Sequence, residues 1–266
     1  MVCSVTVRSL VKRFGNHEAV AGINFNIGRG EVFGLLGPNG AGKTTTIRML
    51  ATLLPPTSGQ ILIEGLDVLR QGGLVRRVLG YVPQALSADG TLTGYENLLL
   101  FAKLLRLDKK ERERRIQEIL ALLNLQDAAH KLVREYSGGM VRRLEIGQAI
   151  LHRPRVLILD EPTVGLDPVA RHTVWNTLKQ LREETGLTIL ITTHYMEEAE
   201  AACQRVAIMN RGQIVAQGTP AELKKETGNP QASLEDVFTY FTGDQLETGG
   251  SFLEMRKTRR RVQRFN

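Results

Sequence analysis

The sequence predicts an α/β protein in which parallel strands alternate with helices. Short runs rich in aliphatic residues alternate along the chain with segments of helical periodicity, which favours strand–helix–strand units. Two runs, Val156–Leu159 and Thr188–Ile191, are apolar without the alternation of a half-exposed strand. Strands of that kind are covered on both faces, as in a parallel sheet between helices. The third observation is a glycine-rich turn between a strand and a helix, at positions 37–44.

The strands and helices follow from local pattern. In chain order, the predicted strands are Val5–Val7, Ile23–Ile27, Glu31–Leu36, Ile61–Glu64, Leu79–Val82, Val156–Asp160, Leu187–Thr192, Arg205–Met209 and Gln213–Gln217. The stretch from Thr93 to His152 has apolar residues at helical spacing and no strand-like run. We therefore predict one domain over residues 1–240, with a helical subdomain at about 86–152 inserted in its α/β core, and a C-terminal extension over 241–266.

Composition and the terminal sequences limit the class of protein to which the chain can belong. The longest apolar run, Leu98–Leu107, is interrupted by Lys103 and Arg106, and it falls short of the ~20 residues that a membrane span needs. The N-terminus lacks the layout of a signal peptide. The two cysteines, Cys3 and Cys203, are predicted to be reduced thiols. These observations predict a cytoplasmic protein, peripheral on the cytoplasmic face of a membrane.

The net charge of +7 belongs to the C-terminal end. Residues 256–266 carry six basic side chains and no acidic one, so subtracting these six charges from +7 leaves +1 for the rest. A nearly neutral body does not indicate nucleic-acid binding. Two interpretations of the tail stay open: a disordered end, or an interfacial segment that contacts anionic lipid through its basic residues.

The glycine-rich turn matches the phosphate-binding pattern G-x-x-x-x-G-K-[ST]. Its residues are Gly37, Pro38, Asn39, Gly40, Ala41, Gly42, Lys43 and Thr44. A predicted strand precedes it and a predicted helix, Thr45–Ala51, follows, so backbone amides and the positive end of the helix dipole converge on an anion. Lys43 adds a charge for the β- and γ-phosphates, and the Thr44 hydroxyl is a suitable ligand for Mg²⁺.

Two adjacent carboxylates, Asp160 and Glu161, end a predicted buried strand. Ligands of open α/β sheets gather at the carboxyl ends of strands, and successive side chains point to opposite sides. Asp160 is therefore predicted to hold Mg²⁺ and Glu161 to polarise the attacking water. The alternative, a polar strand end before Pro162, is disfavoured by the phosphate-binding turn.

A second glycine-rich segment indicates a family. Ser137 is a good N-cap for a predicted helix, and Gly138 and Gly139 leave its backbone bare. Together with the two motifs above, this segment resembles the signature motif of ABC ATPases. Four further positions resemble family motifs in the family's order: Phe14 where an aromatic residue stacks on adenine, Gln84 in the Q-loop, Asp167 in the D-loop, and His194 in the H-loop. For Phe14, an ordinary core aromatic is the alternative.

The resemblance implies a P-loop ATPase fold with a mostly parallel sheet, a small antiparallel β part and an inserted helical subdomain. It implies ATP and Mg²⁺ as ligands, with Lys43 and the backbone amides of residues 40–45 on the phosphates, and with Thr44, Asp160 and Gln84 around the metal. Glu161, Gln84 and His194 are the implied catalytic residues. It also implies a head-to-tail homodimer in the ATP-bound state, in which Ser137, Gly138, Gly139 and Asp167 work across the subunit boundary.

Finer features resemble the bacterial drug- and antibiotic-export ATPases, and most of all the daunorubicin-resistance type. They are the segments Ser137–Leu144, Thr192–Glu200 and Leu234–Phe238. Members of this subfamily serve separate ABC-2-type permeases, and related ATPases move polysaccharides or lipids. We therefore expect export of a drug-like, lipid or polysaccharide substrate through such a permease, docked on the helical subdomain. Two alternatives stay open: a soluble ABC ATPase without a transport role, and a P-loop kinase or GTPase.

Overall fold

A computed structural model describes residues 3–243, and the proposed basic tail lies outside these residues. The described residues form two sheets and a set of helices. The strands are β1 (Cys3–Phe14), β2 (His17–Gly28), β3 (Val32–Leu36), β4 (Ser58–Ile63), β5 (Leu66–Asp67), β6 (Leu79–Val82), β7 (Val156–Asp160), β8 (Thr188–Thr193), β9 (Arg205–Asn210) and β10 (Gln213–Gly218). The α-helices are α1 (Lys43–Leu50), α2 (Gly72–Val78), α3 (Gly94–Leu104), α4 (Lys109–Leu122), α5 (Gly138–Ile150), α6 (Pro168–Thr185), α7 (Met196–Ala202), α8 (Pro220–Glu226) and α9 (Leu234–Thr242).

The larger sheet has the strand order β10-β9-β3-β8-β7-β6, and all neighbours are parallel except β10 and β9. Strands β3, β7 and β8 are buried at every residue, as their largely apolar sequences without alternation predict. In this order the carboxyl ends of β3, β8 and β7 are neighbours. The turn after Leu36, the acidic pair after Leu159 and the histidine after Thr193 are therefore brought to one edge of the sheet.

The smaller sheet is antiparallel, with the order β2-β1-β4-β5. Its first two strands are 12 residues each, much longer than the segments Val5–Val7 and Ile23–Ile27 predicted from hydrophobicity. The extra length comes from the hairpin itself, because β1 and β2 stay paired as far as Phe14 and His17, where side chains are exposed. The mostly parallel sheet together with this antiparallel part confirms the predicted fold class.

Helices α3, α4 and α5 form the region between Thr93 and His152. Their apolar faces meet around Ile116, Leu120 and Leu123, all of which are buried. Within residues 3–243, no helix is long and apolar enough to cross a membrane. The division of the chain into a core, an inserted helical subdomain and a C-terminal extension remains a prediction.

Candidate functional site

The turn between β3 and α1 has a backbone that glycine alone adopts readily. Gly37, Gly40 and Gly42 have φ values of 147°, 79° and 104°. A Cβ at Gly37 would collide with the carbonyl oxygen of Met209, and one at Gly42 with that of Ala19. Helix α1 begins at Lys43, two residues before the predicted start, and Gly42 is its N-cap without any side-chain cap. The first amides of α1 are therefore left for an anion.

Lys43 lies inside this turn with only 4% of its surface exposed. Its ammonium group donates to the carbonyl oxygens of Gly37, at 2.8 Å, and Pro38, at 3.1 Å. It also lies 3.3 Å from Oε1 of Glu161. Burial lowers the pKa of Lys43, and the neighbouring Glu161 and Asp160 carboxylates oppose that shift. The lysine thus presents a weakly hydrated positive charge beside the glycine-rich backbone.

Asp160 is buried at the end of β7, where two hydroxyl groups contact its carboxylate. The Thr192 hydroxyl donates to Oδ1 at 2.7 Å, and the Thr44 hydroxyl does so at 3.3 Å. Burial raises the pKa of Asp160, and the hydrogen bonds from Thr192 and Thr44 oppose the rise. The Thr44 and Asp160 oxygens are the hard ligands that Mg²⁺ prefers, and their proximity fits the predicted metal position. No cluster of three or more His, Cys, Asp or Glu side chains suited to a metal occurs between residues 3 and 243.

Glu161 is the residue around which the predicted catalytic side chains meet. Gln84 Nε2 donates to its Oε2 at 3.1 Å, and His194 Nδ1 lies 3.5 Å from its Oε1. His194 Nδ1 is buried and has no hydrogen-bond partner. The backbone of Glu161 has a φ of 48°, which is uncommon for a residue other than glycine, and its amide donates to the Thr192 hydroxyl at 2.9 Å. The structure thus brings together side chains that follow the ends of β6, β7 and β8, and it places them beside Lys43, the first residue of α1.

The second glycine-rich segment lies at the start of α5. Ser137 caps that helix by accepting a hydrogen bond from the Met140 amide at 3.3 Å, and Ser137 and Gly138 are exposed. Asp167 caps α6 in the same way, with the Ala170 amide at 2.9 Å. The two helix starts are in contact, because a Cβ at Gly139 would lie 2.9 Å from that of Ala170. The signature-like and D-loop-like residues therefore form one exposed surface.

Phe14 lies at the tip of the β1–β2 hairpin and is about half exposed, with the Lys12 ammonium 5.1 Å from its ring centre. Because Phe14 is not part of the packed core, the structure does not support the alternative that it is an ordinary core aromatic. The same hairpin reaches the phosphate-binding turn through Ala19, whose carbonyl oxygen faces Gly42. An aromatic ring at this tip is compatible with stacking on a base.

The sequence analysis missed Thr192, whose hydroxyl contacts both Asp160 and the Glu161 amide. A threonine near the end of an otherwise aliphatic strand, two residues before His194, was the available signal. It also missed Arg142 and Glu145, which are buried in α5. Their signal was a pair of opposite charges three residues apart on a helix, the spacing that places two side chains on one face.

Comparison with known proteins gives the family directly. The model of the family described as ABC transporter matches residues 20–164. The daunorubicin resistance ATP-binding protein DrrA3 of Streptomyces coeruleorubidus is 44% identical over 231 residues, covering 87% of this chain and 73% of the relative. The linearmycin resistance ATP-binding protein LnrL of Bacillus subtilis is 42% identical over 220 residues, covering 83% of this chain and 70% of that protein.

A solved structure gives the same result for the fold. It is the dimeric, post-hydrolysis state of an ATP-binding cassette bound to ADP and Pi. It superimposes on this chain with a TM-score of 0.72 at 27% identity, and the match covers 81% of this chain and 98% of that one.

Proposed function

Because this chain belongs to the ABC transporter family, as one of its ATP-hydrolysing subunits, we propose that it powers the export of a drug-like, lipid or polysaccharide substrate through a separate ABC-2-type permease. The observation that carries the proposal is the convergence of Lys43, Gln84 and His194 on Glu161 beside the glycine-rich turn. The likeness over most of their length to proteins named for daunorubicin and linearmycin resistance supports export.

In the proposed mechanism, the turn at residues 37–44 binds the phosphates of ATP through its bare backbone amides. Lys43 supplies charge to the β- and γ-phosphates, and its burial strengthens that interaction because little water competes. A bound Mg²⁺ would supply positive charge to the phosphate oxygens, and Thr44, Asp160 and Gln84 are the residues that would hold it.

Glu161 orients and deprotonates the attacking water. Its carboxylate is placed by the unusual backbone of the residue and by the hydrogen bond from its amide to Thr192. Gln84 reaches the same carboxylate from a different strand, and His194 is available to hydrogen-bond the γ-phosphate, since its Nδ1 has no other hydrogen-bond partner. A general base acts only when it is held within reach of the proton that it takes, and these contacts hold the Glu161 carboxylate in place.

ABC ATPases dimerise, and we propose that here the segment Ser137–Gly139, in which Ser137 and Gly138 are exposed, closes the ATP site of a second copy. Ser137 and Gly138 at the start of α5 are exposed, as is Asp167 at the start of α6. A γ-phosphate bound to the partner's glycine-rich turn would accept hydrogen bonds from the hydroxyl and amides at the start of α5. ATP then holds the two subunits together, and hydrolysis removes that contact.

The membrane permease is proposed to dock on the apolar surface of α3. Leu100, Phe101 and Leu104 lie on this helix and are exposed, Leu104 by 71%. Leu105, which follows the helix, and Leu86, in the loop that starts at Gln84, are exposed as well. A set of exposed large apolar side chains marks an interaction site. Contact there would place the permease next to the loop of Gln84, whose side chain donates to Glu161.

The experiment measures ATP hydrolysis and nucleotide binding for the purified chain and two variants. Glu161→Gln is expected to bind ATP as the wild type does and to lose turnover by at least about 100-fold, because the amide cannot accept the proton. Lys43→Ala is expected to lose affinity for ATP itself, because the buried charge at the phosphates is gone. Hydrolysis unchanged in Glu161→Gln would remove this residue from the mechanism, and unchanged ATP binding in Lys43→Ala would refute the phosphate site.

The remaining candidate is a soluble ABC ATPase without a transport role. Co-purification of the chain with a membrane protein from detergent-solubilised membranes distinguishes the two. A stable complex supports the transport function, whereas ATPase activity without any membrane partner supports the soluble alternative.

A further inference from the structure

Helix α5 carries a polar stripe on the side that faces the loop after β6. Arg142, Glu145 and Gln148 follow one another at three-residue spacing and so share a helix face. Arg142 is 2% and Glu145 3% exposed, and charged residues are rarely so buried unless they are paired. Their side chains form an ion pair, with Arg142 Nη1 3.0 Å from Glu145 Oε2.

Arg142 binds the backbone at the start of the loop. Its Nη1 donates to the carbonyl oxygen of Pro83 at 2.7 Å, and its Nη2 donates to that of Gln84 at 2.8 Å. A guanidinium group makes two such bonds at once because its donors are fixed in one plane. The position of the Gln84 backbone is thus set by a side chain of α5.

Glu145 binds the middle of the same loop. Its Oε1 accepts hydrogen bonds from the Ser87 amide, the Ser87 hydroxyl at 3.2 Å and the Ala88 amide at 3.3 Å. One carboxylate therefore satisfies two neighbouring backbone amides, while its other oxygen stays with Arg142. These bonds are charge-assisted and stronger than neutral ones.

The end of the loop is attached through Asn97. Its side chain accepts from the Asp89 amide at 2.9 Å and donates to the Asp89 carbonyl oxygen at 3.0 Å. Gln148 donates to the same Asn97 oxygen at 3.3 Å. Residues 83–89, which we call the clamped loop, are therefore bonded to the α5 stripe at the start and the middle, and through Asn97 at the end.

We propose that Arg142 and Glu145 are positioning residues for ATP hydrolysis, because they fix the clamped loop to α5 and so hold the Gln84 side chain at Glu161. The same helix is capped by Ser137, so a displacement of Gln84 is passed to the surface that closes the partner's site. This inference rests on the proposed function. It assigns the connection to two buried side chains that do not touch nucleotide.

The test replaces both charges at once, as Arg142→Met with Glu145→Leu, so that neither is left buried and unpaired. We expect kcat for ATP to fall by about 10- to 100-fold, as for a catalytic group that is misplaced from a distance. The dissociation constant for ATP is expected to stay unchanged, because the turn at residues 37–44 does not contact the stripe. Lost ATP affinity together with kcat would indicate general damage and would overturn the positioning role.

Arg143→Met is the matched control. Arg143 is the next residue of α5, and its guanidinium donates to the Leu123 carbonyl oxygen at 2.5 Å, at the end of α4 rather than in the clamped loop. This variant removes a partly buried guanidinium from the same helix and is expected to keep kcat. An equal loss in the control would show that any arginine of α5 has this effect, and it would refute the proposal.

A double-mutant cycle with Gln84→Ala asks whether the stripe acts through Gln84. If it does, adding the stripe substitutions to Gln84→Ala should cause little further loss of kcat, since the residue that they position is gone. Multiplicative losses would mean that the stripe acts elsewhere. If the wild type is active and the losses of the stripe substitutions and of Gln84→Ala multiply, this inference alone is overturned. If the wild type has no ATPase activity, the proposed function is overturned as well.

Hydrogen exchange provides a readout that does not depend on activity. The Ser87 amide lies in an exposed stretch and should exchange fast unless Glu145 accepts its hydrogen bond. We expect protection at Ser87 and Ala88 in the wild type and in Arg143→Met, and its loss in the double variant. Fast exchange at these amides in the wild type would refute the clamp.

Discussion

At the residue scale, the buried carboxylate of Asp160 lowers the free energy of unfolding of the chain. Its carboxylate is 1% exposed, and burial raises its pKa even though two hydroxyl groups donate to it. An acid whose pKa is higher in the folded state binds its proton more tightly there. The ionised form therefore lowers the free energy of unfolding at a pH above the raised pKa, and this cost disappears as the pH falls below the ordinary value of about 3.9.

Asp160→Asn is therefore expected to melt at a higher temperature than the wild type at pH 8 without nucleotide, by about 3 °C for each kcal/mol gained. The asparagine oxygen can still accept from Thr192, and position 160 no longer buries a carboxylate charge. The gain should shrink as the pH is lowered through the raised pKa of Asp160 towards the ordinary value of about 3.9. The same variant should lose Mg²⁺-dependent ATPase activity, because the proposed Mg²⁺ ligand loses its negative charge.

Asp89→Asn serves as the opposite control. The Thr91 hydroxyl and amide donate to the Asp89 carboxylate and lower its pKa, so its ionised form is favoured in the folded state. Neutralising Asp89 should not raise the melting temperature at pH 8. A stabilised Asp89→Asn, or an Asp160→Asn that is no more stable than the wild type, would contradict the assignment of the cost to burial.

At the scale of the elements, α1 and α5 show two ways of starting a helix at a functional surface. Helix α1 has a glycine N-cap at φ 104° and no capping side chain, so its amides stay available. Helix α5 is capped by Ser137 and carries glycines at its first two positions. The prediction placed the start of α1 at Thr45. Helix propensity does not report that Gly42, a residue of the turn, is the N-cap and that the helix therefore begins at Lys43.

The packing of α5 on α4 depends on Gly147. A Cβ at this position would lie 2.6 Å from Cδ1 of Leu123 and 2.8 Å from Cγ2 of Ile119, and both of these side chains are buried. Gly147→Ala is therefore expected to lower the free energy of unfolding by about 1–3 kcal/mol through overpacking, although alanine favours a helix. Urea unfolding of the purified chain measures the change.

Gly73→Ala in α2 is the control for helix propensity, because no atom lies within 4 Å of a Cβ at that position. It should leave the free energy of unfolding unchanged or raise it slightly. If Gly147→Ala were as stable as Gly73→Ala, the helices around Gly147 would be less tightly packed than the structure indicates.

At the scale of the whole molecule, the surface formed by the starts of α5 and α6 is proposed to complete the site of a second copy. Glu161→Gln with Mg-ATP should therefore form a dimer, whereas Ser137→Arg in the Glu161→Gln background should stay monomeric and still bind ATP. The larger, charged side chain would occupy the space of the partner's phosphate. Size-exclusion chromatography with ATP, and without it, measures the difference.

Ser233→Arg in the Glu161→Gln background is the matched control. Ser233 caps α9 as Ser137 caps α5, accepting a hydrogen bond from the Asp236 amide at 3.1 Å, but it lies on a different helix. Both substitutions remove a cap worth about 1 kcal/mol, so only the position differs. Dimers in both variants, or in neither, would argue against Ser137 as part of the interface.

The sequence by itself determined the fold class, the glycine-rich turn at residues 37–44 and the acidic pair after β7. These features are local, since glycine spacing and uninterrupted apolar runs report directly on backbone conformation and burial. The six-stranded order is what placed Gln84, His194 and Lys43 around Glu161, because those residues come from segments far apart in the chain. The contacts of Thr192, Arg142 and Glu145 were decided only by tertiary structure. A hydroxyl or a buried charge acquires its partner from the packing of separate elements, and no local pattern encodes that choice.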